Sequence, residues 1–395
     1  MRLTLSDYCL ITFGKNDYFN TMSKVHIKNI KSILWLAPNF NHYKARFLNH
    51  LAEDPNIALT ILSGTGRQNM GDEELDEHWE FKLDKVEVSK QEFGNSSKVR
   101  LYLKQHFMNY DWVLIPTEKK NLLLFVYALY LRIKFPKTKL VSYNHPILKS
   151  GSGKIMTLDK LFTKFYYRFF NRIIFYTETS CEWAIEQKLI SPQKAFWANN
   201  TIDTDEVAKQ YVYELPPKNL KTILFIGRLI PSKRIDTLIK YYKTLKKVMP
   251  DTHLKLEIIG DGPDKSILED VIKLDSSIKW HGSIVDENKI APIMKKASIV
   301  FIPGLSGLSI NHAFAYGRPY FTLEAEKHGP EINYLKDGEN GYILKGSFNQ
   351  NIEIIESVLF NESKLNALCL DAKVTGENLS IKKWVKQMKL SLTHE

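Results

Sequence analysis

Cysteine and long apolar runs are scarce in this sequence of 395 residues. Its three cysteines, Cys9, Cys181 and Cys369, are too few and too far apart for a disulfide framework or a zinc knuckle, which indicates a reducing compartment. The longest apolar stretch, residues 122–131, is about half of the ~20 residues that a helix needs to cross a bilayer. Residues 1–27 lack the apolar core of a signal peptide and have no periodic pattern, so we expect an N-terminal extension on a cytoplasmic protein.

Acidic residues are fewer than basic ones. The sequence has 44 Asp and Glu and 55 Lys and Arg, which gives a formal net charge of +11. Residues 101–175 carry most of the excess, with 13 Lys and Arg against three Asp and Glu. A basic protein favours one of three partners, namely nucleic acid, an anionic membrane surface or a phosphorylated small molecule. No motif of a DNA- or RNA-binding module accompanies the charge, so we expect no nucleic acid, although the charge alone keeps that alternative open.

Four cations within the basic stretch are spaced by four residues, at Lys160, Lys164, Arg168 and Arg172, with six aromatic residues between them. On a helix this spacing places a cationic stripe beside aromatic side chains, which is typical of helices that lie on anionic lipid. An ordinary amphipathic helix with its aromatic face in the core would show the same pattern. We expect residues 157–172 to contact an anionic membrane surface.

Segments with the period of strands alternate with segments of helical period through both halves of the chain. Such alternation predicts βαβ units and therefore an α/β protein with parallel sheets. Two prolines in a polar stretch, at 216 and 217, mark a linker. The sequence predicts two doubly wound Rossmann-like domains, residues 28–212 and 213–379, that face each other across a cleft. A C-terminal helix at about 380–395 is expected to pack back on the first domain.

The second half opens with a strand that ends at Gly227 and Arg228, and Lys233 follows five residues later, just before a helix. Glycine allows a tight turn, arginine can hold a phosphate with its planar fork, and lysine adds a point charge. The pattern predicts a phosphate site, although solvated surface cations would look the same.

Further turns rich in small residues follow the later strands. They are Gly260-Asp261-Gly262-Pro263, Trp280-His281-Gly282, the loop 304–309, and the segment His328–Gly341 with Pro330-Glu331. The loop 304–309 precedes a helix, where backbone N–H groups can bind an anion. Each turn taken alone is explained equally well as plain chain reversal.

In their order, these motifs resemble the donor-binding domain of the family 4 retaining glycosyltransferases, which have the GT-B architecture. The resemblance is strongest over residues 220–345. It implies that Arg228 and Lys233 hold the diphosphate of a nucleotide-sugar, that no metal ion or cofactor is needed, and that the base lies near residues 280–282. It also implies donor contacts from Gly227, Gly260, Gly282 and Ser306, and from the backbone amides of Gly307, Leu308 and Ser309.

The chain departs from the family at two positions. The family usually carries two glutamates eight residues apart around the small-residue loop, and Gly304 and His312 occupy those positions here. Three interpretations follow: His312 and the backbone of residues 304–309 take over donor binding, Glu331 supplies a substitute carboxylate, or catalysis is lost.

The resemblance is weaker in the first half. It implies that His145, after the strand at 140–143, contacts the donor sugar, although a lone histidine is often structural. His42 and Tyr43 follow the first strand in place of the usual glycine pair, and they either line an acceptor pocket or pack internally. Retaining transfer in the family needs no dedicated nucleophile, which fits the lack of a paired-carboxylate or Ser/His/Asp pattern.

We expect a retaining glycosyltransferase that moves a sugar from a nucleoside-diphosphate donor to a glycan or lipid-linked acceptor. The resemblance implies a role in bacterial surface polysaccharide synthesis (capsule, O-antigen or lipopolysaccharide) at the inner face of the membrane. The alternative is a catalytically inactive protein of the same fold that binds nucleotide-sugars.

Overall fold

The computed structural model describes residues 30–393, except 39, 41, 66–77, 149–154 and 325–326. The predicted extension at residues 1–27 lies outside the described residues. The chain divides into two compact units, and the described parts of unit 1 are 30–65, 78–199 and 385–393. Unit 2 contains residues 200–384. The divisions fall between Asn199 and Asn200 and between Trp384 and Val385, whereas the sequence pattern placed them at 213 and 380.

Unit 1 is built on a parallel sheet of seven strands in the order β3-β2-β1-β4-β5-β6-β7. The strands are β1 Lys31–Ala37, β2 Ile57–Ser63, β3 Lys82–Lys85, β4 Trp112–Leu114, β5 Lys139–Asn144, β6 Arg172–Phe175 and β7 Ala195–Trp197. Its helices are α1 His42–Ala52, α2 Ser97–His106, α3 Leu122–Lys134, α4 Thr157–Tyr167 and α5 Glu178–Glu186. The central strands are almost continuously apolar and buried, as parallel strands covered on both faces must be.

Unit 2 is built on a parallel sheet of six strands in the order β10-β9-β8-β11-β12-β13. The strands are β8 Lys221–Ile226, β9 Leu254–Ile259, β10 Ile278–Trp280, β11 Ile299–Phe301, β12 Tyr320–Leu323 and β13 Gly341–Leu344. The helices are α6 Thr204–Gln210, α7 Ile235–Val248, α8 Ser266–Leu274, α9 Glu287–Met294, α10 Ser309–Ala315, α11 Phe348–Phe360 and α12 Glu362–Asn378. The prediction of an α/β protein with two parallel-sheet domains is confirmed.

Arg318 joins α10 to β12 and is fully buried. Its guanidinium donates to the backbone oxygens of Met294 (3.1 Å), Lys295 (3.0 Å) and Glu214 (2.9 Å). The first two are carbonyls at the C-terminus of α9, which have no partner within the helix and carry partial negative charge. The arginine therefore fixes α9 and α10 against each other and satisfies its own buried charge.

The last helix, α13 Ile381–Thr393, crosses the boundary between the units, and its residues from 385 onward belong to unit 1. Arg172 on β6 donates to the backbone oxygen of Ser391 (2.5 Å), and Lys389 forms an ion pair with Asp54. Met388 and Leu392 are buried. Within the described residues, every helix is too short or too polar to cross a lipid bilayer.

Candidate functional site

The carboxyl ends of β8, β9 and β10 are drawn together by three of the predicted glycines. The amide of Gly227 donates to the Ile259 oxygen (3.0 Å), and the amide of Gly260 donates to the Gly282 oxygen (2.7 Å). Gly260 has a φ of +142°, and a Cβ there would lie 1.9 Å from the oxygen of Gly227. Only glycine fits this position, and the close approach leaves the strand ends bare of side chains.

Lys233 ends a short 3-10 helix, Pro231–Lys233, and its side chain turns back over the end of β8. Its Nζ is 3.9 Å from the point where a Cβ on Gly227 would lie. Burial and, to a smaller extent, the neighbouring Arg228 guanidinium lower the pKa of Lys233 to about 8, while Glu331 opposes the change. The structure thus brings together the predicted phosphate cations, Arg228 exposed and Lys233 half-buried.

Gly304 locks the small-residue loop to the turn that carries Lys233. The amide of Leu305 donates to the oxygen of Ser232 (2.7 Å), and a Cβ on Gly304 would lie 2.1 Å from that oxygen. Any side chain at 304 would therefore displace backbone. The packing of the loop therefore leaves no room for a glutamate side chain at residue 304, where the family resemblance leads us to expect one.

The side chain of Ser306 connects the loop 304–309 to strand β12. Its hydroxyl lies 3.1 Å from the Thr322 hydroxyl and 3.1 Å from the Tyr320 hydroxyl, and the residue is buried. The oxygen of Ser306 also accepts from the amide of Gly329 (2.7 Å). The hydroxyl of Ser306 is thus engaged in bonds within unit 2, and the donor contact expected of this residue stays a prediction.

His328 is a site residue that sequence reasoning missed. Its Nδ1 accepts from the amide of Ser306 (3.1 Å), so the proton sits on Nε2, which donates to the oxygen of Leu323 (3.2 Å). Burial lowers the pKa of His328, and Lys233 contributes to the decrease. The histidine is therefore held neutral between the loop and the end of β12. Its only sequence signal was its place in the motif before Glu331.

Glu331 lies on the 3-10 helix Pro330–Tyr334 and is buried. Its Oε1 accepts from the side-chain amide of Asn200 (2.6 Å), and its Oε2 is 3.8 Å from the point where a Cβ on Gly307 would lie. Burial raises the pKa of Glu331, while Asn200 and Lys233 oppose the rise. The carboxylate thus lies beside the loop and within electrostatic reach of Lys233, although the two do not form an ion pair. Asn200 is thus a second residue of the site that the sequence analysis did not identify.

The predicted loop amides are those of Gly307, Leu308 and Ser309. Among the residues the structure describes, none accepts a hydrogen bond from these three N–H groups. Backbone N–H groups at the start of a helix that have no acceptor favour the binding of a negatively charged group.

His312 lies on α10 and points to α9 rather than into the loop. Its Nε2 is 3.0 Å from Oε1 of Glu287, and the hydroxyl of Tyr316 donates to Oε2 of the same carboxylate (2.6 Å). Both His312 and Glu287 are buried. The imidazole therefore pairs with a buried carboxylate, and donor binding by His312 stays a prediction.

Unit 1 places His145 directly after β5, as predicted, and leaves it exposed. Its ring contacts Tyr176 edge to face, with centroids 5.0 Å apart. The buried hydroxyl of Tyr167 donates to the backbone oxygen of His145 (2.9 Å) and fixes the chain there. His42 and Tyr43 begin α1. Their side chains lie outside the described part of the chain, and so does the prediction that they contact an acceptor.

Residues 220–359 match the family model described as "Glycosyl transferases group 1". An uncharacterized glycosyltransferase of Haemophilus influenzae is 24% identical over 225 residues, which cover 53% of this chain and 61% of the relative. A poly(ribitol-phosphate) alpha-N-acetylglucosaminyltransferase of Staphylococcus aureus is 28% identical over 135 residues, 33% of this chain and 27% of the relative. The chain thus spans less than two thirds of either curated relative.

The fold also resembles solved structures. Anabaena HepE in complex with UDP and glucose superposes with a TM-score of 0.64 at 15% identity, over 92% of this chain and 100% of that one. At 15% sequence identity, the structural similarity establishes the fold alone. Which donor and acceptor the chain uses has to be argued from the residues of the site.

Proposed function

We propose that this chain, whose residues 220–359 match the model of the glycosyl transferases group 1 family, transfers a sugar from a nucleoside-diphosphate donor with retention of configuration. The observation that carries the proposal is the meeting of Arg228, Lys233 and Glu331 at the bare ends of β8 and β9. The two cations can stabilise the negative charge of a departing diphosphate, and the carboxylate beside them can accept hydrogen bonds from sugar hydroxyls.

Arg228 and Lys233 would act on the leaving group. In the transfer, the bond between C1 of the sugar and the phosphate oxygen breaks, and charge develops on the diphosphate. A guanidinium fork and a point charge already in place stabilise this charge without reorganisation, and the amides of residues 307–309 add donors. We infer that this positive charge takes the place of a metal ion, so activity is expected to survive a chelator.

Glu331 would orient the donor sugar. The packing of Gly304 excludes a side chain, so a carboxylate has to come from elsewhere, and Glu331 reaches the same loop from the segment after β12. Asn200 holds one of its oxygens, and the other lies beside the backbone of Gly329 and near Gly307. This favours the second of the three interpretations of the missing glutamates, an active variant with a relocated carboxylate.

Retention follows from the family resemblance. The acceptor hydroxyl attacks C1 on the face that the diphosphate leaves, its proton passes to the departing phosphate oxygen, and a C1–O bond to the acceptor replaces the C1–O bond to phosphate. His145 is the unit 1 residue proposed to contact the donor sugar. The chain then has to supply positive charge and to orient donor and acceptor, but it needs no side chain that forms a covalent bond to the sugar.

The acceptor proposed is a glycan or lipid-linked intermediate of surface polysaccharide synthesis, at the cytoplasmic face of a membrane. Support comes from the poly(ribitol-phosphate) acceptor in the name of the S. aureus relative and from the cations of residues 157–172. The competing function is nucleotide-sugar binding without turnover, because both family glutamates are replaced. Release of UDP from a labelled donor, with or without acceptor, eliminates the competing function.

The phosphate assignment is tested with Arg228→Ala and Lys233→Ala. Each variant should lower transfer by about 10²–10³-fold, because each removes a preorganised charge from the transition state. The measurement is turnover of a UDP-sugar panel, with thermal shift by UDP as the binding readout. Lys243→Ala, at an exposed position on α7, is the matched control and should keep full activity. Wild-type turnover in either site variant contradicts the assignment.

The relocated carboxylate is tested with Glu331→Gln, which keeps size and hydrogen-bond capacity but removes the charge. We expect turnover to fall at least tenfold while UDP affinity changes little, because Glu331 is assigned to the sugar and not to the diphosphate. Steady-state kinetics and UDP titration separate the two. Unchanged turnover means that the sugar is held by other groups, and a parallel loss of UDP binding means that Glu331 supports the fold of the loop.

A further inference from the structure

Helix α3 exposes a row of large apolar side chains. They are Leu122, Leu123, Val126, Tyr130 and Ile133, and at 100° per residue all five lie on one side of the helix. Ile133 is 83% exposed and Tyr130 is 58% exposed. Single exposed apolar residues are ordinary on protein surfaces, but a contiguous row marks a binding surface.

Helix α4 exposes a second row, Leu158, Leu161 and Phe165, with Leu158 69% exposed. The cations Lys160, Lys164 and Arg168 follow the adjacent side of the same helix. The aromatic residues do not all face outward, because Tyr166, Tyr167 and Phe170 are buried in the core of unit 1. The interpretation of an amphipathic helix with aromatic side chains in the core is therefore confirmed for these three residues, and the helix also presents a separate apolar row to solvent.

The two helices are fixed side by side. The rings of Phe125 and Tyr166 pack with centroids 4.0 Å apart, and Lys119 Nζ is 3.0 Å from Oδ1 of Asp159. Arg132 on α3 donates to the backbone oxygen of Phe169 (2.5 Å). Contacts near both ends and in the middle keep the two rows within one surface, which we call the α3–α4 face.

The charge around the α3–α4 face is almost entirely positive. Residues 119–135 and 155–172 contain eight Lys and Arg and a single acid, Asp159, which is buried against Lys119. Burial lowers the pKa of Lys194, and the nearby guanidiniums of Arg132 and Arg168 lower it further. Lys119 and Lys120 pair with Asp159 and Glu118, and the remaining excess of cations beside the exposed apolar rows is complementary to a surface with negative headgroups over a hydrocarbon layer.

We propose that the α3–α4 face docks on an anionic phospholipid bilayer, with the apolar rows at the boundary of the acyl chains and the cations among the headgroups. The face extends the membrane contact expected for residues 157–172 to the whole of α3. It deepens the proposed function by naming the surface on which a lipid-linked acceptor is met, but the docking itself does not depend on transfer.

The test is co-sedimentation of the full chain with vesicles of phosphatidylcholine that contain phosphatidylglycerol, against pure phosphatidylcholine. Ile133→Asn and Leu161→Asn remove one exposed side chain from each helix, and each should weaken binding about tenfold. Lys160→Gln and Lys164→Gln should each weaken binding about fivefold, and the loss should shrink as salt rises. Leu274→Asn is the matched control, because Leu274 in unit 2 is 86% exposed and lies outside the face.

Equal binding to both kinds of vesicle, or binding that the four variants leave unchanged, overturns the proposal. Light scattering without lipid tests the other occupant, a second copy of the chain. A dimer that Ile133→Asn dissociates would assign the face to self-association instead. Each variant is checked for thermal shift by UDP, which should equal that of the wild-type chain. Loss of vesicle binding with intact UDP binding therefore separates this proposal from the function of the donor site.

Discussion

Lys233 is the residue on which the charge of the donor site depends most. It packs over Gly227 between Arg228 and the buried Glu331, and burial brings its pKa down to about 8. A lysine with a pKa this low loses part of its charge under mildly alkaline conditions, whereas an exposed lysine keeps it. The position that lets Lys233 reach a phosphate therefore also makes its charge sensitive to pH.

The pH dependence of UDP binding follows from this. The ammonium form binds the diphosphate, and its fraction in the free chain falls as pH rises through about 8. The dissociation constant should then increase by up to about tenfold per pH unit above that value, until the pKa of Lys233 in the complex is reached. Titration calorimetry over this range measures the effect.

Lys233→Arg is the control for the pH dependence, because guanidinium stays charged throughout the range. Its binding should be nearly independent of pH, whatever its affinity. A flat profile in the wild-type chain would show that Lys233 does not carry the bound charge.

At the scale of the element, the loop between β11 and α10 is shaped by the turn Pro231–Lys233. Gly304 touches the backbone of that turn, and Ser306 ties the loop to β12. The loop is thus set by two other segments of unit 2 as well as by its own residues. This packing explains why the loop has no side chain at residue 304, where the family resemblance leads us to expect a glutamate.

Gly304→Ala should lower the free energy of unfolding of unit 2 by about 1–3 kcal/mol, because its Cβ would lie 2.1 Å from the Ser232 oxygen. Gly307→Ala is the matched control: its Cβ would meet nothing closer than 3.8 Å, so its effect should stay within about 0.5 kcal/mol. Thermal and denaturant unfolding give both values.

Gly304→Glu, which introduces the glutamate that the family resemblance leads us to expect, should reduce turnover. A gain in turnover would mean that the loop can move to admit the carboxylate.

The helices and strands that sequence reasoning located were those with strong apolar patterns. The sequence pattern predicts strands at 222–226 and 254–259 and a helix at 236–248. Strand β9 has these bounds in the structure, and β8 and α7 differ from them by one residue. Strands β3 and β7 were missed, because both lie at the edges of the unit 1 sheet and pair on one side only. An edge strand can be short and polar, as Lys82–Lys85 is, so its sequence carries little signal.

At the scale of the whole molecule, positive charge is concentrated in unit 1, whereas the cations proposed for chemistry lie in unit 2. The stretch 101–175 holds 13 of the Lys and Arg, and the α3–α4 face carries many of them. We therefore propose separate partners for the two basic regions, a lipid surface for one and a diphosphate for the other. Donor binding and vesicle binding should respond to different variants for this reason.

The order of motifs in the sequence was enough to predict the fold class and the family resemblance, and it nominated Arg228 and Lys233 as the phosphate pair. These depend on local patterns of strand, turn and helix, which neighbouring residues decide. The tertiary structure alone decided that Gly304 has no room for a side chain, that Glu331 reaches the same loop, and that His312 pairs with Glu287. It also decided which aromatics of α4 are buried. Those outcomes depend on contacts between residues far apart in the chain, which no local pattern records.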